Sequence, residues 1–466
     1  MSAPVDKKGT RRDGAGSGLR RVFRHRLFAL VWAGALLSNI GNWMEDSAQN
    51  WAVVSALKQD PRQSAFMSEI LNCANFLPAL ALSLVAGVLA DRIRLRGLLL
   101  WLQTLACLLG AALAAAAWKG VATPWVVIAF TFAEGIVWAL NGPPWQALVP
   151  RLVPREELPT AIAANAAQFN LARLIGPFLA GLLIIHVGVT AAFAINAVSF
   201  IPVLFALSLL PAQAGSAAPE SERPLWKDLG TGLRTVWNQA GLRRLALMLA
   251  VFMFLSAPAQ GLLAVYVQQV MNGDSRLYGA MVGAMGLGAL LGTVALGRIP
   301  RYYPRHHLIP LAMCLAAGAM LLLSMTVHPE AGLPAMAAVG FFWMLSVNST
   351  NAATQLLAPD QHRGKIMSVL LLCNQGFLPL GHLAAGGLAN LLSPAWVIRG
   401  MSGVLLAVSL IFLVRREPAI DAQERRSLKL GWRERIWEIL TAQSHRPLPE
   451  SEREKLAEEQ TTRVDL

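Results

Sequence analysis

The sequence is built largely from stretches of about 20 residues that carry almost no charge. A helix of that length crosses the roughly 30 Å hydrocarbon core of a bilayer, and its backbone satisfies its own hydrogen bonds there. Twelve such stretches are present, at residues 27–51, 66–89, 97–117, 124–145, 159–187, 190–210, 244–269, 277–297, 308–327, 333–356, 366–392 and 395–414. Because the chain is 55% apolar and only 14% charged, we expect an all-α integral membrane protein of twelve transmembrane helices, and a soluble globular class is excluded.

The basic residues are concentrated on one side of the predicted spans. Of the 40 Lys and Arg residues, 34 fall in the tails and loops on the side of the N-terminus, and five fall in the loops of the opposite side. Cytoplasmic loops of membrane proteins carry an excess of Lys and Arg. We therefore expect both termini in the cytoplasm. The net charge of +13 is interpreted as a topology signal, and no nucleic-acid partner is expected.

Six spans precede a long central loop and six follow it, which predicts two six-helix bundles. The predicted domains are a basic cytoplasmic tail at 1–26, bundles at 27–210 and 244–414, a cytoplasmic linker at 211–243 and a cytoplasmic tail at 415–466. Residues 146–150 at the end of the fourth span resemble residues 355–359 at the end of the tenth. Parallel repeats of this kind place a substrate site at the interface between the halves.

Two segments outside the spans have an amphipathic pattern. Apolar residues in 225–237 recur at helical spacing around Lys227 and Arg234, which predicts a helix on the inner leaflet. Segment 428–440 has a similar pattern. For this second segment a membrane-surface helix and a solvated or domain-packing helix are equally compatible with the sequence.

Two of the spans carry polar faces that lipid could not accommodate. In the first span Ser38, Asn39, Asn42, Glu45, Asp46, Gln49 and Asn50 fall within an arc of about 140° on a helical wheel. In the fourth span the mixed face consists of Thr131, Glu134, Trp138, Asn141 and Trp145. Together these faces predict a central cavity for an amphiphilic or aromatic solute. Its candidate lining residues are Asn39, Asn42, Gln49, Trp138 and Asn141.

Charged side chains inside the spans are the candidates for proton coupling: Glu45, Asp46, Glu134 and Arg173. Each costs about 2.5–3.5 kcal/mol at the centre of a membrane helix, so each requires an explanation. Arg173 and Glu134 lie at comparable depth in neighbouring spans, and we hypothesise that they form an ion pair. Either this pair only holds the N-terminal half together, or a membrane carboxylate gains and loses a proton during transport.

The remaining polar groups in the spans have structural interpretations. We expect Glu69 at the outer membrane interface and His382 as a packed helix residue. Cys73, Cys107, Cys314 and Cys373 lie far apart within spans and are expected to be inert. The sequence contains no metal-ligand cluster, phosphate-binding lysine motif or nucleophile triad. We therefore expect no metal, no cofactor and no enzymatic activity.

One loop carries a recognisable signature. Residues 87–96 read Gly-Val-Leu-Ala-Asp-Arg-Ile-Arg-Leu-Arg, which resembles the G-x-x-x-D-R-x-G-R-R loop between the second and third helices of the major facilitator superfamily. The resemblance implies a cytoplasmic gate formed by Gly87, Asp91, Arg92 and Arg96. Arg94 and Leu95 depart from the signature, where a glycine and a basic residue are usual.

The resemblance extends to one branch of that superfamily. Residues 38–44, 146–150, 170–177 and 363–365 are similar to the transmembrane secretion effectors, the enterobactin exporter-like branch. This implies proton-driven export of siderophores or other small amphiphiles across a bacterial inner (plasma) membrane. Gly176, Pro177 and Gly181 also resemble a fifth-helix motif of antiporters in the superfamily and imply close helix packing.

The implied partners are a small-molecule substrate, protons and the lipid bilayer. A monomer is sufficient to form the cavity, and the sequence does not indicate an oligomeric state. Glu45 and Asp46 stand where uncharged residues are common in the branch, which suggests a cationic solute. A lipid-handling transporter of the same fold and a non-transporting membrane scaffold or sensor are the alternative functions.

Overall fold

In the computed structural model of the protein, residues 15–92, 94–211, 225–299, 305–359 and 362–415 are described. This part of the chain consists of α-helices and two short 3-10 turns, Val149–Arg151 and Arg155–Glu157. The helices are α1 (Ala15–Val22), α2 (Arg26–Ala56), α3 (Pro61–Arg92), α4 (Leu95–Trp118), α5 (Pro124–Leu148), α6 (Leu158–Val187), α7 (Val189–Ser208), α8 (Leu225–Asn238), α9 (Ala240–Ser256), α10 (Pro258–Gly261), α11 (Leu263–Gln269), α12 (Ser275–Arg298), α13 (Arg305–Met325), α14 (Pro329–Leu357), α15 (Arg363–Ala389) and α16 (Pro394–Val414).

The helix ends follow from local sequence. Thr123 caps α5, because its side chain accepts a hydrogen bond from the backbone N–H of Val126 and Pro124 occupies the first helical position. Asp274 caps α12 in the same way through the N–H of Leu277. Gly188 separates α6 from α7 with a positive φ of 96°, a conformation that a residue with a Cβ rarely adopts.

The apolar lengths of the helices fit a membrane. Eleven segments of the described chain are long and apolar enough to cross a bilayer, counting α9–α11 as one interrupted span. The second predicted span lies in α3, a helix of 32 residues. Trp118, Trp125 and Trp396, all at helix ends, are 60–80% exposed, as expected of an aromatic belt at the membrane surface. The predicted all-α membrane fold is confirmed.

The two halves repeat one packing scheme. In the N-terminal half (α2–α7), α3 packs on α5, α4 on α7 and α2 on α6. In the C-terminal half (α9–α16), the corresponding pairs α12 with α14, α13 with α16, and α9 with α15 are in contact. The halves meet through α6 against α12 and through α3 against α15, which are equivalent pairs under the repeat.

We call the membrane side at which α2 begins the tail side, and the side at which α2 ends the far side. The far side is closed by contacts between the halves. Ser68 donates a hydrogen bond to the carbonyl oxygen of Gly261 (2.6 Å). Ser275 donates to the carbonyl oxygen of Gly181 (3.1 Å).

Stacking and close backbone packing complete this far-side closure. Trp51 stacks on Tyr278, with ring centroids 5.8 Å apart. A Cβ at Gly181 would lie 2.5 Å from the carbonyl oxygen of Ser275. A larger residue at position 181 would therefore separate α6 from α12, so this predicted packing glycine lies at the interface of the halves. Pro177 is buried in the same helix.

Of the two segments predicted to be amphipathic, the structure describes the first and not the second. Helix α8 occupies the segment predicted to be amphipathic, with Val236 buried and Leu233 and Trp237 exposed. The segment 428–440 lies outside the described residues.

The residues of the predicted cytoplasmic gate lie around the loop between α3 and α4. Gly87, Asp91 and Arg92 lie in the last turns of α3, but their side chains are outside the described part. Arg96 donates to the carbonyl oxygen of Ser208 (2.7 Å) and so links α4 to the end of α7.

Candidate substrate cavity

A cavity of about 400 Å³ lies between the two halves. Helices α2 to α7 form one wall, and α9, α10, α14 and α15 form the other. The first wall includes Asn39, Asn42, Trp43, Glu45, Asp46, Gln49, Asn72, Asn75, Phe76, Gln103, Glu134, Trp138, Asn141, Phe169, Arg173 and Asn196. The second includes Met253, Gln260, Trp343, Met344, Val347, Asn374, Gln375 and Leu378. All five residues predicted to line a cavity do so, as do the four proton-coupling candidates.

The polar face of α2 is held by partners on three neighbouring helices. Asn196 on α7 donates to a carboxyl oxygen of Glu45, which is 4% exposed. Asn75 on α3 donates to Asp46 Oδ1 at 2.8 Å. The carboxyl groups of two successive residues therefore accept hydrogen bonds from amides on two different helices. This arrangement fixes their positions, since each amide is itself anchored in a packed helix.

Gln49 connects α2 to α5. Its amide nitrogen donates to Glu134 Oε2 at 2.7 Å, and its amide oxygen accepts from the hydroxyl of Thr131 at 2.9 Å. Thr131 and Glu134 lie three residues apart and so share one face of α5. A single glutamine therefore joins the two polar faces that the sequence pattern indicates.

The predicted ion pair between Arg173 and Glu134 is not formed. The guanidinium of Arg173 lies over the ring of Trp43, 5.3 Å from its centroid, and Asp46 is the carboxylate whose charge acts on it. Gly176 explains this position. A Cβ there would lie 2.7 Å from the carbonyl oxygen of Ile40, so α6 approaches α2 closely and places Arg173 against α2, away from α5.

The cavity gathers more acidic than basic groups. Three carboxyl groups, from Glu45, Asp46 and Glu134, line the cavity together with one guanidinium, and the charges of the carboxyl groups act on one another. Glu45 Oε1 and Glu134 Oε1 are buried without a hydrogen-bond partner. Like charges at close range oppose simultaneous ionisation. The arrangement is therefore suited to holding a proton or a cationic group of a ligand.

Several lining residues escaped the sequence interpretation. They are chiefly amides within apolar spans: Asn75, Asn196, Gln260, Asn374 and Gln375. In the sequence each appears only as an isolated amide residue in an uncharged stretch. Such a residue can line a cavity, but it can equally form a hydrogen bond between packed helices. The aromatic residue Trp343 on the opposite wall gives no signal at all, because tryptophan is also common on lipid-facing surfaces.

The sequence interpretation misplaced Glu69, whereas His382 is a buried, packed helix residue as expected. Glu69 was expected at the outer interface, but its side chain is fully buried, as is that of His382. The two side chains contact each other across the interface of the halves, with His382 Nδ1 2.5 Å from Glu69 Oε2. The expectation was wrong because depth along a helix does not show which face meets the other half. The described residues contain no group of three or more side chains suited to a metal ion.

Two six-helix halves around a polar central cavity define a multi-pass membrane transporter with the major facilitator fold. The family described as transmembrane secretion effector matches residues 20–448, and the chain belongs to this family. The predicted resemblance is thereby confirmed. The membership also confirms that the protein is a transporter and not an enzyme.

Two relatives match more than four fifths of the chain. The staphyloferrin A transporter of Staphylococcus aureus is 23% identical over 83% of this chain and 96% of its own length. The multidrug efflux pump Tap of Mycolicibacterium fortuitum is 28% identical over 87% of this chain and 96% of its own length.

Solved structures agree on the fold. A bacterial homologue of the human lysosomal transporter Spinster, in an inward-facing and unoccupied conformation, superimposes with a TM-score of 0.61. The alignment covers 86% of this chain and 98% of that structure at 15% identity. At this identity the similarity shows the fold alone.

Proposed function

We propose that this protein is a secondary transporter that uses the proton gradient to export a small amphiphilic compound, siderophore-like or drug-like. The observation that carries the proposal is the cluster of Glu45, Asp46, Glu134 and Arg173 in the cavity between the halves. Intramembrane ionisable groups of this kind mark ion and substrate pathways. A siderophore transporter and a drug efflux pump among the relatives support export of this class.

Within that class we favour a cationic amphiphile. The cavity holds three carboxyl groups against one guanidinium, and it presents the aromatic rings of Trp43, Trp138 and Trp343. Aromatic faces attract cations electrostatically, more strongly when the site is shielded from water. A ligand with one positive charge and an apolar body would satisfy both the acidic wall and the apolar side chains of the uncharged C-terminal wall.

Proton coupling follows from competition for the same carboxyl groups. A cation bound beside Asp46 or Glu134 favours their ionised forms, whereas a proton on either group removes the attraction for the cation. If the carboxyl groups bind substrate when the cavity opens to one side of the membrane and protons when it opens to the other, the protein exchanges substrate for protons. This mechanism requires no cofactor.

The proposed location is a bacterial inner (plasma) membrane, with both termini in the cytoplasm. The concentration of 34 of 40 basic residues on the tail side supports this orientation. The tail side is then cytoplasmic, and the far side, which is closed in this structure, faces outward. A monomer contains the complete cavity.

The test is uptake into inverted membrane vesicles that contain the protein, with a siderophore and a cationic dye as substrates and with or without a proton gradient. We expect gradient-dependent accumulation of the dye, reduced at least about tenfold by Asp46→Asn, which corresponds to about 1.4 kcal/mol of lost coupling. Asp60→Asn is the matched control, because Asp60 is exposed in the loop after α2. Full gradient-driven transport by Asp46→Asn and by single Glu45→Gln and Glu134→Gln variants would refute proton coupling through this cluster.

A lipid-handling function is the second candidate, because one observation favours it. An apolar groove of about 330 Å³ lies between α6 and α12, lined by Leu174, Ile175, Phe178, Ala280, Gly283, Ala284 and Leu287. An acyl chain could enter such a groove from the side. Accumulation of a fluorescent phospholipid in the same vesicles, without accumulation of dye or siderophore, would favour this function over drug-like export.

A further inference from the structure

Four arginine side chains of the described chain lie over aromatic rings, and their hydrogen bonding differs. In three of them the guanidinium also donates to a backbone carbonyl oxygen: Arg243 to Trp237, Arg244 to Phe412 and Arg399 to Ser324. The fourth, Arg173, lies over Trp43 and donates to no residue that the structure describes. A guanidinium carries five N–H donors. Those of Arg173 are therefore left for water or for a ligand.

Arg173 is also the one of these four arginines that lines the substrate cavity. The charge of Asp46 acts on it, but no carboxyl oxygen of a described residue lies within the 4.0 Å of an ion pair with its guanidinium. Asp46 Oδ1 instead accepts the hydrogen bond from Asn75. A charged donor without an acceptor is costly where the surroundings are shielded from water. The cavity therefore favours a ligand that supplies an acceptor at this point.

The chemistry of this acceptor follows from the guanidinium and the rings beside it. A guanidinium is planar, and two parallel N–H groups match the two oxygens of a carboxylate. Trp43, over which Arg173 lies, packs edge-to-face against Phe169 with ring centroids 5.8 Å apart. Both rings line the cavity and offer apolar surface next to the donors. The position therefore fits a planar oxyanion, such as a carboxylate, that is attached to an aromatic or apolar body.

Acceptors for a cation line the same cavity. One carboxyl oxygen of Glu45 accepts from Asn196, and one of Glu134 accepts from Gln49. The second oxygen of each carboxyl group, Oε1, has no hydrogen-bond partner. The donors on α6 and these acceptors on α2 and α5 belong to different helices. The cavity therefore offers unused groups of both kinds to one ligand.

We propose that Arg173 forms an anion subsite of the cavity and that the exported compound is amphoteric. Its carboxylate, or a similar planar oxyanion, binds the guanidinium of Arg173, and its cationic group binds the carboxyl groups of Glu45 and Glu134. This assignment rests on the proposed function and adds an anionic group to the cationic amphiphile. A ligand with a cation alone leaves the donors of Arg173 without an acceptor, whereas an amphoteric ligand pairs both kinds of charge.

The test compares two dyes that differ only in the anionic group. Tetramethylrhodamine carries a carboxylate and a cationic ring system, and in its methyl ester the carboxylate is masked. Binding of each dye to the purified protein is measured by equilibrium dialysis near neutral pH, where a carboxylic acid is ionised, and binding to protein-free micelles is subtracted. We expect the acid to bind about tenfold more tightly than the ester, as a hydrogen-bonded charge pair requires. Equal affinities, or tighter binding of the ester, would overturn the proposal.

Variants assign the preference for the acid to Arg173. Arg173→Gln removes the positive charge, so we expect the acid to bind no more tightly than the ester. Arg399→Gln is the matched control, because it removes a guanidinium that also lies over a tryptophan ring but does not line the cavity. The control is expected to keep the tenfold preference. A preference that survives Arg173→Gln, or that both variants lose equally, contradicts the assignment.

Arg173→Lys covers the case in which Arg173→Gln does not fold. It keeps the charge but not the planar pair of donors, so we expect the preference to fall about threefold. An unchanged preference in this variant would contradict recognition of a planar oxyanion.

Transport of the same two dyes separates this inference from the proposed function. Binding is measured without a gradient, so an effect of a substitution on turnover does not enter the affinity ratio. Gradient-driven export of the ester, together with equal affinities for the two dyes, would overturn the anion subsite and leave the proposed function intact. A preference for the acid that depends on Arg173, without gradient-driven export of either dye, would contradict the proposed function alone.

Discussion

The two halves share one packing scheme but differ in where they place charge. All four ionisable residues among the described cavity lining come from the N-terminal half: Glu45, Asp46, Glu134 and Arg173. The C-terminal half contributes amides, methionines, apolar side chains and Trp343. A repeat therefore fixes helix positions without fixing the chemistry of the walls. The N-terminal half therefore supplies the charged surface of the cavity, and the C-terminal half supplies an uncharged surface of amides and apolar side chains.

The packing of the C-terminal half gives the largest predicted effect. A Cβ at Gly288 on α12 would overlap the carbonyl oxygen of Ala337 on α14. Gly288→Ala must therefore push the helices apart, and we expect a loss of about 3 kcal/mol of stability, near the upper end for overpacking. Gly297→Ala is the control in the same helix, because nothing lies within 4 Å of its Cβ position. That change is expected to stabilise by up to about 1 kcal/mol.

Thermal unfolding of the purified protein in detergent measures both changes. The comparison between halves is sharpened by Gly135→Ala on α5, where a Cβ would lie 2.6 Å from the carbonyl oxygen of Asn75. We expect a smaller decrease in Tm there than at Gly288. An equal or larger decrease for Gly135→Ala would contradict the expectation that the closer backbone approach at Gly288 makes that position the more sensitive one.

The charge asymmetry gives the second prediction. Arg173→Gln removes the cation that faces Asp46 and lies over Trp43, so we expect gradient-driven dye transport to fall about tenfold, equivalent to about 1.4 kcal/mol. Gln375→Ala on the opposite wall removes a neutral group and should lower transport less than about threefold, or about 0.7 kcal/mol. Initial rates in inverted vesicles, corrected for protein amount, compare the two. Similar losses at both positions would remove the functional distinction between the walls.

Much of this arrangement could be predicted from the sequence, and the part that could not has a geometric cause. The polar arc on α2 correctly indicated residues that face a cavity, such as Asn39 and Gln49, because helical periodicity reports direction around one helix. It does not report how two helices are rotated relative to each other. Arg173 was therefore assigned to Glu134 by depth alone, whereas the close approach at Gly176 sets it beside Asp46.

The buried pair illustrates the same limit over a longer distance. Glu69 and His382 are 313 residues apart, and each looks unremarkable in its own span. Their contact depends on the packing of α3 against α15. The repeat relates this helix pair to α6 and α12, but it does not show which side chains meet. The signature residues Gly87, Asp91 and Arg92 show the opposite case, since a local motif indicated the family without any tertiary information.

The smallest predicted effects on stability concern hydrogen bonds within the N-terminal half, including the one from the glutamine that links α2 to α5. Gln49→Leu removes the 2.7 Å hydrogen bond to Glu134, and a hydrogen bond to a carboxyl group contributes about 1.5 kcal/mol. Gln103→Leu removes only the longer bond to Asn141, 3.3 Å between two amides, and we expect about 0.5 kcal/mol. The measurement is the midpoint of thermal unfolding for both variants. If Gln103→Leu destabilises the protein as much as Gln49→Leu, the hydrogen bond to the carboxyl group of Glu134 contributes no more stability than a bond between two neutral amides. The acidic cluster would then gain no extra stabilisation from its hydrogen bonds.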